Sequence, residues 1–215
     1  MQFYTSFFFL LNGAKQIVLV DPVFDPHQTD SIFAAQKDEF IQAYPQSRDI
    51  INMRKITIFP SLDSVPVTYD RNVQILCSHF VLEHLKDLDA YFTQARRLLA
   101  PNGLCFNYVD VSDHTYHIFY GIPWLRRVYF SRLLYHLRYS DAAFALLNDK
   151  RTWVNRILFP EYVQKAGQYD FQIKSKNLQT CPPSPIHKDV LRRLPSVDEN
   201  ELYVSHFTLL LSHDE

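Results

Sequence analysis

Two stretches put reactive side chains where a strand gives way to a loop. The run "VQILCS" ends in small and polar residues, and Ser78, His79 and Phe80 carry the chain out of it toward Glu83 and His84. A buried strand needs no such exit. Small and polar side chains there let backbone groups approach a ligand. Further on, "LCFNYV" is followed by Asp110, Asp113 and His114. Histidine changes charge nearest to neutral pH, so His114 is the leading candidate to take a proton from a hydroxyl or amine, with Asp110 close by in sequence. The competing reading, for any one of nine histidines, is a surface loop residue. Glu83 and His84 read as capping and local packing. Arg126, Arg127, Arg132 and Arg138 lie among tyrosines and leucines. They suit either an anionic ligand such as a sugar phosphate or lipid headgroup, or a lid with a solvated face.

The elements that must position these residues alternate. Phe3–Leu11 is aromatic and apolar and is expected to be helical until "NGA" breaks it. "QIVLVDP" reads as a buried strand closed by Asp21 and Pro22, and 29–44 as a helix with Ile32, Phe33, Phe40 and Ile41 near one face. "KITIFP" and "VQILCS" are further strands. Asp87 is a good N-cap, and Leu88, Phe92, Ala95 and Leu99 form the inward stripe of the helix after it. "APNG" is expected to end that helix, and "LCFNYV" to be the next strand. Alternating strands and helices predict an α/β fold, a mostly parallel sheet with helices on both faces. From 112 to 153 the alternation stops, and an aromatic and basic segment predicts a helical insertion or lid. "NRILFPEYVQKAG" resumes a helix with Gly167 as its C-terminal cap. "YDFQIKSKN" and "ELYVSHFTLLLS" predict a closing antiparallel pair, with one helical turn in the Pro-rich loop between them. The whole chain, 1–215, reads as a single domain.

Composition narrows the field. A chain of 215 residues with 47% apolar content can bury a sizeable core. A net charge of −1 supplies no field to recruit nucleic acid. Cys77, Cys105 and Cys181 are scattered, with no metal-type spacing, and point to reduced thiols and a cytoplasmic location. No metal site is expected. No apolar run is long enough to span a membrane. The apolar start lacks the positive region of a signal peptide. The aromatic and basic segment could still touch a membrane surface.

The run "ILCSHFVLEHLKDLDAYFTQARRLLAPNGL" resembles the class I S-adenosylmethionine-dependent methyltransferases, in its "VLEH" turn, its "ARRLLAPNG" helix end and the strand "LCFNYV". "NGAKQIVLVDP" is similar to that family's second strand. The resemblance covers nearly the whole chain and implies a Rossmann-like fold, S-adenosylmethionine as cofactor and methyl transfer as the reaction. It implies that Asp21 holds the cofactor ribose, that Ser61, Leu62 or Asp63 meets the adenine, and that Ser78, His79 and Phe80 line the cofactor or the reacting methyl group. His114 and Asp110 then fall on the acceptor side. "VDVSDH", "LRYS" and "WVNRILFPEYVQKAG" are similar to members near polysaccharide pathways, which implies a small or saccharide-type acceptor.

Two departures accompany the resemblance. The family's first strand and glycine-rich loop would precede Phe3, and the four glycines here, Gly13, Gly103, Gly121 and Gly167, include no close pair. Gln74 stands where the family often has an acid. The expectation is an N-terminally truncated enzyme that binds cofactor weakly as it stands, with a break in pairing between "QIVLVDP" and "VQILCS". The alternative is a non-catalytic methyltransferase-like scaffold or interaction module.

Overall fold

The computed structural model describes residues 3–22, 25–52, 55–114, 134–147, 154–194 and 198–213. They fall into two compact units, Met1–Val67 and Thr68–Glu215.

Aromatic packing builds the first unit. Helix α1 (Tyr4–Leu11) and helix α2 (Pro26–Ala43) meet through Phe3, Phe7, Leu10, Phe33 and Phe40, all buried. The Phe7 ring meets Phe33 at 5.5 Å and Phe40 at 5.4 Å, edge to face. Such pairs add about 0.5–1.5 kcal/mol each beyond their burial. Gly13, at φ 94°, takes the left-handed position that ends α1. Helix α2 starts at Pro26, three residues before the expected Thr29. Asp25 caps it by accepting the His27 N–H at 2.9 Å, with Pro26 at the first helical position. Strands β1 (Ile17–Val20) and β2 (Ile56–Phe59) pair in parallel, Ile17 opposite Ile56 and Val20 opposite Phe59.

The second unit holds a four-stranded sheet in the order β3-β4-β6-β5, with β3 Val73–His79, β4 Leu99–Asp110, β5 Gln172–Thr180 and β6 Val204–Ser212. β3 and β4 are parallel; β6 joins β4 and β5 antiparallel. Helix α3 (Leu88–Leu98) is capped by Asp87, which accepts the Ala90 N–H at 2.9 Å. It buries Leu88, Tyr91, Phe92, Ala95 and Leu98. Helix α4 (Asp141–Leu147) follows a 3-10 turn at Tyr135–Arg138. Helix α5 (Phe159–Gln168) sets Phe159 and Tyr162 each 5.1 Å from the Phe207 ring of β6. The Pro-rich connection carries the one-turn helix α6 (Lys188–Leu191).

Several local expectations change. Helix α3 stops at Leu98 and β4 begins at once, so "APNG" lies inside the strand span instead of closing the helix. Val73 pairs with Leu99 but Ile75 with Leu104, so the extra residues of β4 bulge out. Asn102 takes the left-handed backbone there, at φ 60°. Gly167 sits in the last turn of α5, and Asp170, at φ 61°, makes the left-handed exit. "QIVLV" and "VQILC" are less buried than a central strand would be: Val20 is 38% and Ile75 51% exposed. Each pairs on one edge only among the described residues, β1 with β2 and β3 with β4, and they belong to different sheets. That is the expected break in pairing. Of the expected insertion at 112–153, residues 134–147 are largely helical. Residues 115–133 and 148–153 lie outside the described residues, and Arg126, Arg127 and Arg132 with them. Arg138 stacks over the Tyr135 ring at 5.1 Å.

Gly103 is required by a close approach. A Cβ there would stand 2.8 Å from the Ala100 carbonyl oxygen and 3.0 Å from that of Val73. Gly103→Ala should therefore cost about 1–3 kcal/mol, the range for an overpacked site. Urea denaturation followed by circular dichroism should show a lowered midpoint. An unchanged midpoint would mean that the bulge yields freely.

Candidate functional site

In the first unit, the β1–β2 ladder runs one step past the strand, where the Asp21 N–H donates to the Phe59 carbonyl at 3.0 Å. This fixes Asp21 at the carboxyl end of a parallel strand. The Ser61 side chain caps the 3-10 turn Leu62–Ser64 by accepting the Ser64 N–H at 3.3 Å, and the Ser64 hydroxyl donates to the Ser61 carbonyl at 2.7 Å. Leu62 is half-buried and Asp63 exposed.

In the second unit, the exit of β3 separates two kinds of side chain. Ser78 points into a buried network: its hydroxyl donates to Asn107 Oδ1 at 2.7 Å, and Tyr91 donates to the same oxygen at 2.6 Å. Burial and the neighbouring Cys105 thiol hold the Tyr91 hydroxyl far above its usual pKa, so it stays a donor. The Ser78 hydroxyl is thus engaged inside the unit. His79 and Phe80 face outward with Tyr108, with ring centroids 4.2 Å apart for His79–Phe80 and 4.6 Å for Phe80–Tyr108. Phe80 has φ 54° and is held there by its N–H bond to the Tyr108 carbonyl at 2.9 Å. A bulky residue in that conformation costs about 1–3 kcal/mol.

One strand further in, Asp110 gathers the polar groups. Its Oδ1 accepts the Ser112 N–H at 2.8 Å, and His206 Nε2 stands 3.3 Å from that oxygen. His114 Nε2 lies 3.5 Å from Oδ2. Burial alone would raise the Asp110 pKa. The two imidazoles and the Ser112 amide overcome it and hold the carboxyl well below the usual carboxylate range. The structure therefore brings the two expected catalytic residues, Asp110 and His114, together. Asp113 is buried beside them.

Sequence reasoning undervalued the turn Leu82–His84 and missed His206 and Asn155. Asn155 pins that turn: its side-chain amide donates to Leu82 O at 2.7 Å and Leu85 O at 3.1 Å, and its backbone N–H to Glu83 O at 2.9 Å. Glu83 is 1% exposed. Neither of its carboxylate oxygens has a hydrogen-bond partner of good geometry among the described residues. Burial raises its pKa to about 7; the nearby Asp110 charge adds to this, and the His114 ring and the Glu83 and Asp110 amides partly oppose it. Donor atoms of Glu83, His84 and His114 all lie within 4.8 Å of one another. The signal available in the sequence was the Glu-His pair itself; its convergence with His114, thirty positions on, was not readable there.

No family model matches the sequence, and no curated protein matches it. Solved structures do. An S-adenosylmethionine-dependent methyltransferase from Mesorhizobium loti superposes with a TM-score of 0.53 at 11% identity, over 98% of this chain and 86% of that one. A Listeria monocytogenes protein provisionally assigned to the same class gives 0.55 at 10% identity, over 99% and 86%. At these identities the likeness is one of fold, and the fold is the Rossmann-like α/β fold of the class I methyltransferases. No described helix is long and apolar enough to cross a membrane.

His136 carries a pH signature. It is buried, and its Nδ1 has no hydrogen-bond partner among the described residues. Burial, then the Arg156 charge and the His114 ring, push its pKa from 6.5 down to about 3, with Asp110 opposing. The unfolded chain takes a proton near pH 6.5 that the folded His136 refuses until about pH 3. Its share of stability is complete above pH 6.5 and is lost as pH falls toward 3, by at most about 1.4 kcal/mol per pH unit. The raised Glu83 works in the opposite sense between about 4.5 and 7. Subtracting a His136→Phe pH–stability curve from that of the wild type should isolate the histidine slope. A flat difference between pH 3 and 6.5 would show His136 ionising normally in the fold.

Proposed function

We propose that this chain is an S-adenosylmethionine-dependent methyltransferase acting on a small hydroxylated acceptor of saccharide type. The observation that carries the reading is the Asp110–His114 pair at the carboxyl end of β4, in a unit that shares the fold above. In open parallel sheets, ligands gather beyond the carboxyl ends of the strands. Asp21 ends β1, and Ser78, His79 and Phe80 end β3. The residues suit the cofactor: an acid for a ribose diol, and an aromatic face kept open despite a strained backbone at Phe80. The saccharide part of the proposal rests on the resemblance of "LRYS" and "WVNR". Those runs touch through Arg156, whose Nη2 donates to the Tyr139 carbonyl at 2.7 Å.

When bound, S-adenosylmethionine supplies a methyl carbon already activated by its sulfonium, so the protein's task is alignment and proton removal. By the resemblance, Asp21 of the first unit would accept hydrogen bonds from the ribose hydroxyls, and Leu62 and Asp63 would meet the adenine, with Ser61 shaping the turn since its hydroxyl is engaged in the cap. In the second unit Ser78 would contribute backbone, and His79 and Phe80 ring faces. His114 takes the proton of the acceptor hydroxyl, and Asp110, kept ionised, orients the ring and stabilises the cation that forms.

Asp21→Ala should weaken cofactor binding about ten- to a hundredfold, the loss of one or two charge-assisted bonds. His114→Ala should leave that affinity nearly intact and slow single-turnover methylation by about 10²–10⁴. Equilibrium titration separates the first effect and rapid quench the second. Cofactor binding with no transfer to any hydroxylated acceptor would favour a non-catalytic module instead.

A further inference from the structure

We propose that Glu83, His84 and His114 form a binding site for a divalent transition metal of the zinc kind. Their donor atoms already lie within 4.8 Å of one another. Ligands held about 2.0–2.2 Å from one ion stand roughly 3–3.5 Å apart, so side-chain adjustments close the set. The His84 and His114 ring centroids are 4.9 Å apart. Glu83 is the independent observation. The residue is 1% exposed, and both carboxylate oxygens are buried and lack a hydrogen-bond partner among the described residues. An isolated buried carboxylate is costly, and a cation between it and two imidazoles supplies what is missing.

The surroundings favour the same reading. Asn155 holds the Leu82–His84 turn by bonds at 2.7 and 3.1 Å, so two of the three ligands come from a fixed backbone. His114 Nε2 lies 3.5 Å from Asp110 Oδ2, so an ion taken by Nδ1 would leave Nε2 to that carboxylate, the pairing by which a carboxylate orients a metal-bound imidazole. His84 is exposed and gives an ion its way in. One oxygen and two nitrogen donors suit zinc and its neighbours; magnesium and calcium prefer oxygen alone. The site shares His114 with the proposed methyltransferase: with Nε2 toward Asp110 and the other ring nitrogen on an ion, His114 could serve as base only in the metal-free protein.

The test is metal titration of the full chain after treatment with a chelator, with neither cofactor nor acceptor present. Zn2+ should bind once per chain by calorimetry, Co2+ should give a visible absorption band of low coordination number, and excess Mg2+ should displace neither. Glu83→Gln and His84→Ala should each weaken Zn2+ about tenfold or more and abolish the Co2+ band. His84 is exposed, so its variant should keep the wild-type circular dichroism and separates lost ligation from lost folding. Absence of Zn2+ binding to the wild type would overturn the proposal. So would binding that both variants retain, which would place the ion on other histidines. Because no methyl transfer is measured, either failure leaves the proposed enzyme activity to its own test.

Discussion

A charged carboxylate kept under cover shapes the second unit. Asp110 ends β4, where the residue is 6% exposed, and an ion in such a place must be met on every side. The Ser112 N–H, His206 from β6 and His114 from the following segment meet it. Asp110 and His206 are direct partners in the β4–β6 register, so the antiparallel ladder places the second imidazole. The imidazoles keep the acid ionised, and the acid in turn fixes where their rings stand.

The same strand ends show how polar residues are divided between support and site. Asn107, directly opposite Ser78 in the ladder, accepts two hydroxyl donors at 2.6 and 2.7 Å inside the unit. Its amide also reaches the Cys105 sulfur at 3.2 Å. A satisfied network of this kind locks register and helix together. The neighbouring His79, Phe80 and Tyr108 point the other way and stay partly open. Along β4 a period of two makes the division, with Cys105, Asn107 and Val109 buried and Phe106 and Tyr108 more open. Phe80 departs from ordinary backbone geometry at the place where the strand must turn away.

Glu83 departs from this economy of partners. Asn155 and Tyr162 secure the backbone around it, with Tyr162 OH 3.4 Å from Asn155 Oδ1, while the carboxylate itself has no hydrogen-bond partner among the described residues. Buried polar atoms without partners are rare in native folds and ask for a reason. Here the reason offered is a ligand, a cation between Glu83 and two histidines. The contrast with Asp110 is instructive: both acids lie under cover within the same unit, and one is pulled well below the usual range while the other rises to about 7. The difference is the number of donors each one meets.

Hydrophobic period, caps and turn residues determined most of the fold. The aromatic α1, the strands "QIVLV", "ITIF" and "VQILCSH", the Asp87-capped helix and the last two strands are where local pattern put them. Strand exits likewise pointed to Ser78–Phe80 and to Asp110 and His114, because small or titratable residues stand out against apolar runs. Tertiary structure alone decided the rest. Only pairing could show that "APNG" bulges within β4, since the bulge answers to Val73 across the ladder. Only the register of β4 against β6 could bring His206 to Asp110, and only the folded connection could bring Asn155 to the "LEH" turn, 73 residues away from Leu82. Burial decided which acids are charged, because solvent access is a property of what packs around a side chain and is absent from its position in the chain.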